Sequence, residues 1–326
     1  MDDTRAILEN AVNGLLMEEV TQKLLHESEE GAFAGALWAK LEAQGLIAIF
    51  DGLENPFLLA GAIIRACGRQ ALPLPLPETL VVHAVLPDEL RNTLGTTPIA
   101  LAETVAREGS SWVFGRAAFG RQSTNVLGLY DGTLIFARKA ELAGKGEAIA
   151  RDPRDTLRAA AVETATPKHD LTALAAMMRA SQMAGAIERV LELTVRYATE
   201  RVQFGKPIGN FQAIQQQLAI LAGESAAATR AADAAWEEAD RGGNVRIAAA
   251  IAKARAGEAA GKAASIAHQV HGAIGFTAEH VLHHFTRRLW TWRSEWGHES
   301  HWHGELGRHV LMLGAEGLWP DIATPA

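Results

Sequence analysis

Arg201, Gln203 and Phe204 offer a planar cation, an amide and an aromatic ring within four positions. They stand at the end of a helical pattern, just before a break built from Gly205, Pro207 and Gly209, residue types that punctuate structure locally. A guanidinium fork suits phosphate oxygens, and an aromatic ring suits the face of a heterocycle. The chemistry these residues suggest is the binding of a phosphorylated, ring-bearing ligand. Alone, Arg201 would read as a solvated cation at a helix end. Its neighbours and a second stretch downstream change that reading.

The elements that must position this turn are helical on both sides. A helix is expected from about Leu171 to Thr199. Another follows with Phe211, Ile214, Leu218 and Leu221 on one stripe, ending near Arg241-Gly242-Gly243. A third, Val245 to Val270, is so rich in alanine that neighbours can approach it closely. Long helices joined by short loops predict an antiparallel four-helix bundle over residues 167–326. Residues 1–96 also read as helical. Ile7, Val12, Leu15, Leu16 and Val20 recur at helical spacing, and further helices are expected over Gly35–Gln44, Pro56–Arg69 and Thr79–Val85. Ala71–Leu80, with three alternating prolines, is expected to be an extended connector. Asp88–Leu94 is expected to form a further turn. Residues 97–166 change character. Short apolar and β-branched runs between glycine turns, including Asp131-Gly132, predict a small domain of antiparallel strands. The fold class is therefore mostly α with a small β-domain between an N-terminal helical domain and a C-terminal bundle.

Composition bounds the function. The chain has 326 residues, 48% hydrophobic and 21% charged, with a formal net charge of -7, which gives no basic footprint for nucleic acid. Its single cysteine, Cys67, excludes an internal disulfide framework and fits a reducing compartment. The acidic first residues do not read as a signal peptide, and no apolar run reaches membrane-spanning length, so the expected location is the cytoplasm.

The stretch ERVQFGKPIGNFQAIQ (Glu200–Gln215), followed at the right interval by QVHGAIGFTAEHVLHHFTRR (Gln269–Arg288), resembles the acyl-CoA dehydrogenase family. The three-part order of the chain resembles it too. That resemblance implies FAD held across a subunit interface, with Arg201 at its pyrophosphate and Gln203 and Phe204 beside it. It further implies that Gln269, Gly272 and Gly275 line the adenosine-diphosphate part of a flavin held mainly by a neighbouring subunit. A doubly charged pyrophosphate wants a guanidinium and exposed backbone N–H groups, and glycines permit close backbone approach.

The departures carry as much information. The family's base is a glutamate that removes a proton from Cα of the acyl-CoA. Its commonest position falls here on Trp296, whose indole accepts no proton at neutral pH. A second known position, on the first bundle helix, falls on Ala175, with no carboxylate nearer than Asp170 and Glu188. Glu295 stands one residue before Trp296 and is the alternative candidate. Where the family has its flavin-gripping loop, only Glu103 and Thr104 correspond, and Arg287-Arg288 replaces an Arg-Asp pair. The two arginines are expected to be surface charges. His298 and His301 share a helical face near His303 and His309, but no metal site is expected. Trp290, Trp292, Trp296 and Trp302 are expected to pack in the core or at a contact, with Trp296 able to fill the space where base and substrate would meet.

The expected function is a subunit of a heteromeric FAD-dependent acyl-CoA dehydrogenase. It would complete the FAD site of a larger partner subunit, in a heterotetramer, and would lack a catalytic base. The substrate would be a steroid or other bulky acyl-CoA bound mainly by that partner. Two other readings remain at this point: an active homomeric flavoenzyme using Glu295, and a helical interaction protein without enzymatic role.

Overall fold

The computed structural model describes the backbone of residues 2–323 and the side chains of residues 4–320. The chain opens with helices α1 (Asp2–Glu19), α2 (Gln22–Glu29), α3 (Gly35–Ala43), α4 (Pro56–Arg69), α5 (Leu76–Val85) and α6 (Asp88–Leu94). The extended connector is shorter than the prolines suggest. It ends at Pro75, because Pro77 falls in the first turn of α5, where a missing N–H leaves no helical bond unmade. Asp88–Leu94 is a full helix.

Strands follow: β1 (Ile99–Leu101), β2 (Thr104–Glu108), β3 (Ser111–Ala118), β4 (Asn125–Tyr130), β5 (Thr133–Ala137), β6 (Glu141–Gly144), β7 (Arg154–Ala159) and β8 (Glu163–Ala165). They form one sheet in the order β6-β7-β3-β1-β4-β5-β8, with β2 paired to β3. Asp131 and Gly132, both at positive φ, make the tight turn between β4 and β5. The pairing is antiparallel except between β1 and β4, which run parallel. Short strands with glycine turns predict hairpins, and the sequence pattern does not reveal a pair joined across another strand.

The remaining elements are α7 (Leu171–Glu200), the strands β9 (Val202–Gln203) and β10 (Lys206–Pro207), then α8 (Gln212–Arg241), α9 (Val245–His271), α10 (Leu282–Ser294) and α11 (Glu299–Ala323), the last interrupted at Gly314. Asp170 caps α7 by accepting from the Ala173 amide at 3.0 Å. Glycines let α4 and α7 touch backbone to backbone. A Cβ on Gly68 would lie 2.1 Å from the Gln182 carbonyl oxygen, and one on Gly185 would lie 2.0 Å from that of Arg65. One continuous apolar core joins the N-terminal helices, one face of the sheet and the bundle. It runs from Leu16, Leu41, Ile63 and Ile64 through Leu127 and Phe136 to Ala175, Trp236 and Trp302. A smaller cluster around Phe114, Val126, Ile135 and Leu157 fills the other face of the sheet. No helix among the described residues is long and apolar enough to cross a membrane.

Candidate functional site

Arg201 is the residue on which α7 ends; its amide still donates to the Tyr197 carbonyl at 2.9 Å, but its own backbone is extended. The chain then folds into a two-residue hairpin. Gln203 faces Lys206 across β9 and β10, and Phe204 (φ 50°) and Gly205 (φ 79°) form the turn. Both central residues are left-handed, as the twist of a tight hairpin requires. Glycine adopts this freely; phenylalanine does so only under strain, which costs about 1–3 kcal/mol. Phe204 is moreover 91% exposed. Its ring meets Phe211 edge-on at 6.1 Å, and the Lys206 ammonium sits 4.5 Å above the Phe211 ring. The sequence thus spends a strained backbone position on holding a phenyl ring in solvent. Arg201 and Gln203 are exposed beside it.

The second stretch lies against the first. The rings of Tyr197, near the end of α7, and His271, at the end of α9, stack 4.6 Å apart, so both helices deliver their last turns to one end of the bundle. Gln269 is exposed there and lines a shallow groove with Ser265, His268, Phe276 and Trp290. Gly272 terminates α9 at φ 62° and ψ −143°, a conformation essentially reserved for glycine, with open space where a side chain would stand. Gly275 does not fit the expected lining. It is buried, and a Cβ there would approach His271 to 2.9 Å and Leu282 to 3.3 Å. Gly275 serves packing between the α9 end and α10.

The two positions where the resemblance places a base are both without a carboxylate, and a charged cluster occupies the interior between them. Ala175 is fully buried in α7. One turn later on the same helix, Arg179 is 1% exposed. Trp296 is half-buried at φ 55°, with its carbonyl accepting from Trp302 Nε1. The preceding residue, Glu295, ends α10 with its carboxylate at zero exposure. Arg154 of β7 donates to that carboxylate through Nε at 2.6 Å and Nη2 at 3.3 Å. Arg179 Nε lies 2.7 Å from it on the other side, and Arg179 Nη2 is 2.9 Å from Glu78 of α5. Burial alone would raise the Glu295 pKa, but Arg154 and then Arg179 outweigh it and hold the group at about 2. Glu103 lies nearby, paired with Arg116 at 2.6 Å; burial and the Glu295 charge push its pKa up. Lys253 is also buried, spends its ammonium on the Arg293 and Gly297 carbonyls, and is lowered by burial to about 8.

This geometry weighs against Glu295 as a base. A general base must be reachable and must titrate near the working pH; Glu295 is sealed and held ionised by two guanidiniums. The first carboxylates on either side of Ala175 in the sequence are committed as well, Asp170 to the cap of α7 and Glu188 to Arg69 at 3.1 Å. Arg287 and Arg288 are not surface charges. Arg288 is 1% exposed and bonded to Asp152 at 2.8 Å, and half-buried Arg287 bonds Glu29 at 2.6 Å. Trp292 and Trp302 are core residues, whereas Trp290 is largely exposed at the groove. His298 and His301 are exposed; His301 packs edge-on against Trp302. Sequence reasoning passed over Glu78, Arg154 and Arg179. The available signal was a single charge inside an apolar run, as in LTALAAMMRASQMAG around Arg179.

Residues 171–295 match the family model described as acyl-CoA dehydrogenase, C-terminal domain. Among curated proteins, the chain is 41% identical over 132 residues to the acyl-CoA dehydrogenase IpdE2 of Mycobacterium tuberculosis, an alignment covering 40% of each chain. It is 28% identical over 306 residues to IpdE2 of Mycolicibacterium smegmatis, covering 88% of this chain and 93% of the relative. Among solved structures, it resembles one titled Tcur3481-Tcur3483 steroid ACAD G363A variant. The TM-score is 0.84 at 22% identity, over 95% of this chain and 98% of the other.

Proposed function

We propose, from the premise that this chain belongs to the acyl-CoA dehydrogenase family, that it is the non-catalytic subunit of a heteromeric enzyme. In this reading it completes a flavin site held mainly by a larger partner, in a heterotetramer. One observation carries the proposal. The interior between the two base positions is filled by the Glu78–Arg179–Glu295–Arg154 cluster, while the recognition residues stand outside, on a strained and bared hairpin. A chain with its own active site would keep a carboxylate at one of those positions, open to the substrate.

The outward face suits FAD. Arg201 offers a guanidinium for the pyrophosphate, Gln203 and Gln269 offer amides, and Phe204 offers a ring face. Gly272 leaves backbone open where a side chain would block approach. When bound, FAD supplies the acceptor for a hydride from the acyl group. The part of this chain is to hold the cofactor's charged end and to exclude water from it. The apolar stripe at the start of α8 supports an interface. Phe211, Ile214 and Leu218 are only half-buried in the single chain, and Ile220 is 53% exposed. A bulky acyl-CoA of steroid type, bound mainly by the partner, is proposed because the structural neighbour is titled a steroid enzyme and named after two components.

The test is co-expression. The chain purified alone should be colourless and inactive, and should gain flavin absorbance and acyl-CoA-dependent dye reduction only with a larger homologous subunit. A yellow, active homo-oligomer would overturn the proposal, and a colourless complex would return the chain to the interaction-protein reading.

A further inference from the structure

Three histidines lie together on the side of the molecule where α2 crosses α10. His26 is exposed in the last turn of α2, His283 is half-buried and His284 is fully buried in the first turn of α10. One ligand atom from each lies within 4.8 Å of the others. The His283 and His284 rings are 3.9 Å apart, and His26 is 5.2 Å from His284 and 6.4 Å from His283.

The hydrogen bonds fix which nitrogens are left over. His283 Nδ1 lies 2.7 Å from the His280 carbonyl, which can only accept, so this nitrogen carries the proton. His284 Nδ1 lies 2.8 Å from Glu29 Oε1 and likewise donates to it. In each neutral ring the lone pair is then on Nε2. The Nε2 of His284 is buried and without any hydrogen-bond partner, which is costly unless something binds it. A ring whose Nδ1–H is held by a carboxylate while Nε2 is left without a partner is the arrangement that orients a metal-ligating histidine. The neighbouring cations are neutralised: Arg287 bonds Glu29, and Arg288 bonds Asp152. A contact between Gln22 Nε2 and the Glu279 carbonyl at 3.4 Å already holds the start of α2 near α10.

We propose that His26, His283 and His284 form a three-imidazole site for a divalent first-row transition metal, zinc above the others, with Glu29 orienting His284. All-nitrogen ligands suit zinc, copper and nickel rather than magnesium or calcium. A tetrahedral zinc with ligands at about 2.0–2.1 Å needs its nitrogens roughly 3.4 Å apart. Closing from the present separation falls to His26, the exposed member at a helix end. The fourth position is left to water or to a group from outside the chain. A bound ion would clamp the N-terminal helices to the bundle. This site shares no residue with the flavin-facing hairpin, so the two proposals stand or fall separately.

The test uses the full chain without a polyhistidine tag, stripped with chelator and titrated with Co2+ and then Zn2+. One equivalent of Co2+ should bind, with the visible d–d bands of four-coordinate imidazole ligation, and Zn2+ should bleach them. Glu29→Gln should weaken Zn2+ binding by about 10- to 100-fold. His26→Ala, at an exposed position that does not threaten folding, should weaken it at least as much. His303→Ala, in the separate C-terminal histidine group, should leave it unchanged. Absence of the bands overturns the proposal, and so does binding that survives His26→Ala or is lost with His303→Ala.

Discussion

Two regions of this chain carry charge and aromatic groups to opposite ends. In the interior, two arginines and two glutamates from α5, α7, β7 and the end of α10 neutralise one another at near-zero exposure. At the end of the bundle, Arg201 and Gln203 are exposed and Phe204 is 91% exposed at a left-handed backbone position. Buried ion pairs seldom add net stability over an apolar core, because desolvation offsets the Coulomb gain. Their effect here is to make a space polar, closed and filled. The hairpin is the reverse: strained, open and without apolar reward inside its own chain. The one region is satisfied within the chain, and the other is left bare.

The largest expected effect comes from breaking the closed region. Glu295→Ala strands two buried guanidiniums and should destabilise the chain by about 3–5 kcal/mol in urea unfolding. If activity of the complex vanished while the unfolding midpoint stayed put, Glu295 would be a base after all and the contrast would fail.

Acid should test the same cluster together with the separate pairing of Glu29 with Arg287 and His284. Glu295 and Glu29 are both held at about 2, below an ordinary value of 4.5. A carboxylate with a depressed folded pKa contributes stability that is complete above the unfolded value and is lost as pH falls through the folded one. Unfolding free energy should therefore decline between about 4.5 and about 2, and Glu295→Gln should flatten part of that slope. A level profile across this window would mean that the arginines do not hold the carboxylate as drawn.

Two glycines at the end of α9 give the proposed recognition role a test against packing. Gly272→Ala meets no atom within 4 Å but must adopt φ 62°, so it should cost about 1–3 kcal/mol and also reduce flavin retention in the complex. Gly275→Ala forces a contact of 2.9 Å with His271 and should lower stability without a specific effect on flavin. Equal flavin loss from both variants would erase the distinction.

How much of this was legible follows from what sequence patterns encode. Helices and their ends were readable because periodicity and Gly242 as a stop are local. The hairpin was readable as a break, and its residues were singled out because a short contiguous stretch carries them. The ion cluster was not, since Glu78, Arg154, Arg179 and Glu295 are scattered over more than two hundred positions and meet only through packing. The histidine group was hidden for the same reason, with His26 far in sequence from His283 and His284. Proline spacing misled for α5, because a proline stops a helix only in its interior. The packing of Gly275 against this chain's own His271 and Leu282 was hidden too, because those contacts come from the fold.

The smallest effect on stability is the sharpest test of the open region. Arg201 is exposed at the end of α7, and Arg201→Ala should change unfolding free energy by no more than about 0.5 kcal/mol. Phe204→Ala removes a ring that packs only edge-on against Phe211 and should be similarly mild. In the complex with the proposed partner, both variants should lower bound FAD, read from visible absorbance against protein, and Arg201→Lys should not restore it if the guanidinium fork grips two phosphate oxygens. A stable variant with unchanged flavin content would leave the strain at Phe204 without a ligand to explain it, and the hairpin would have to be assigned to protein contact alone.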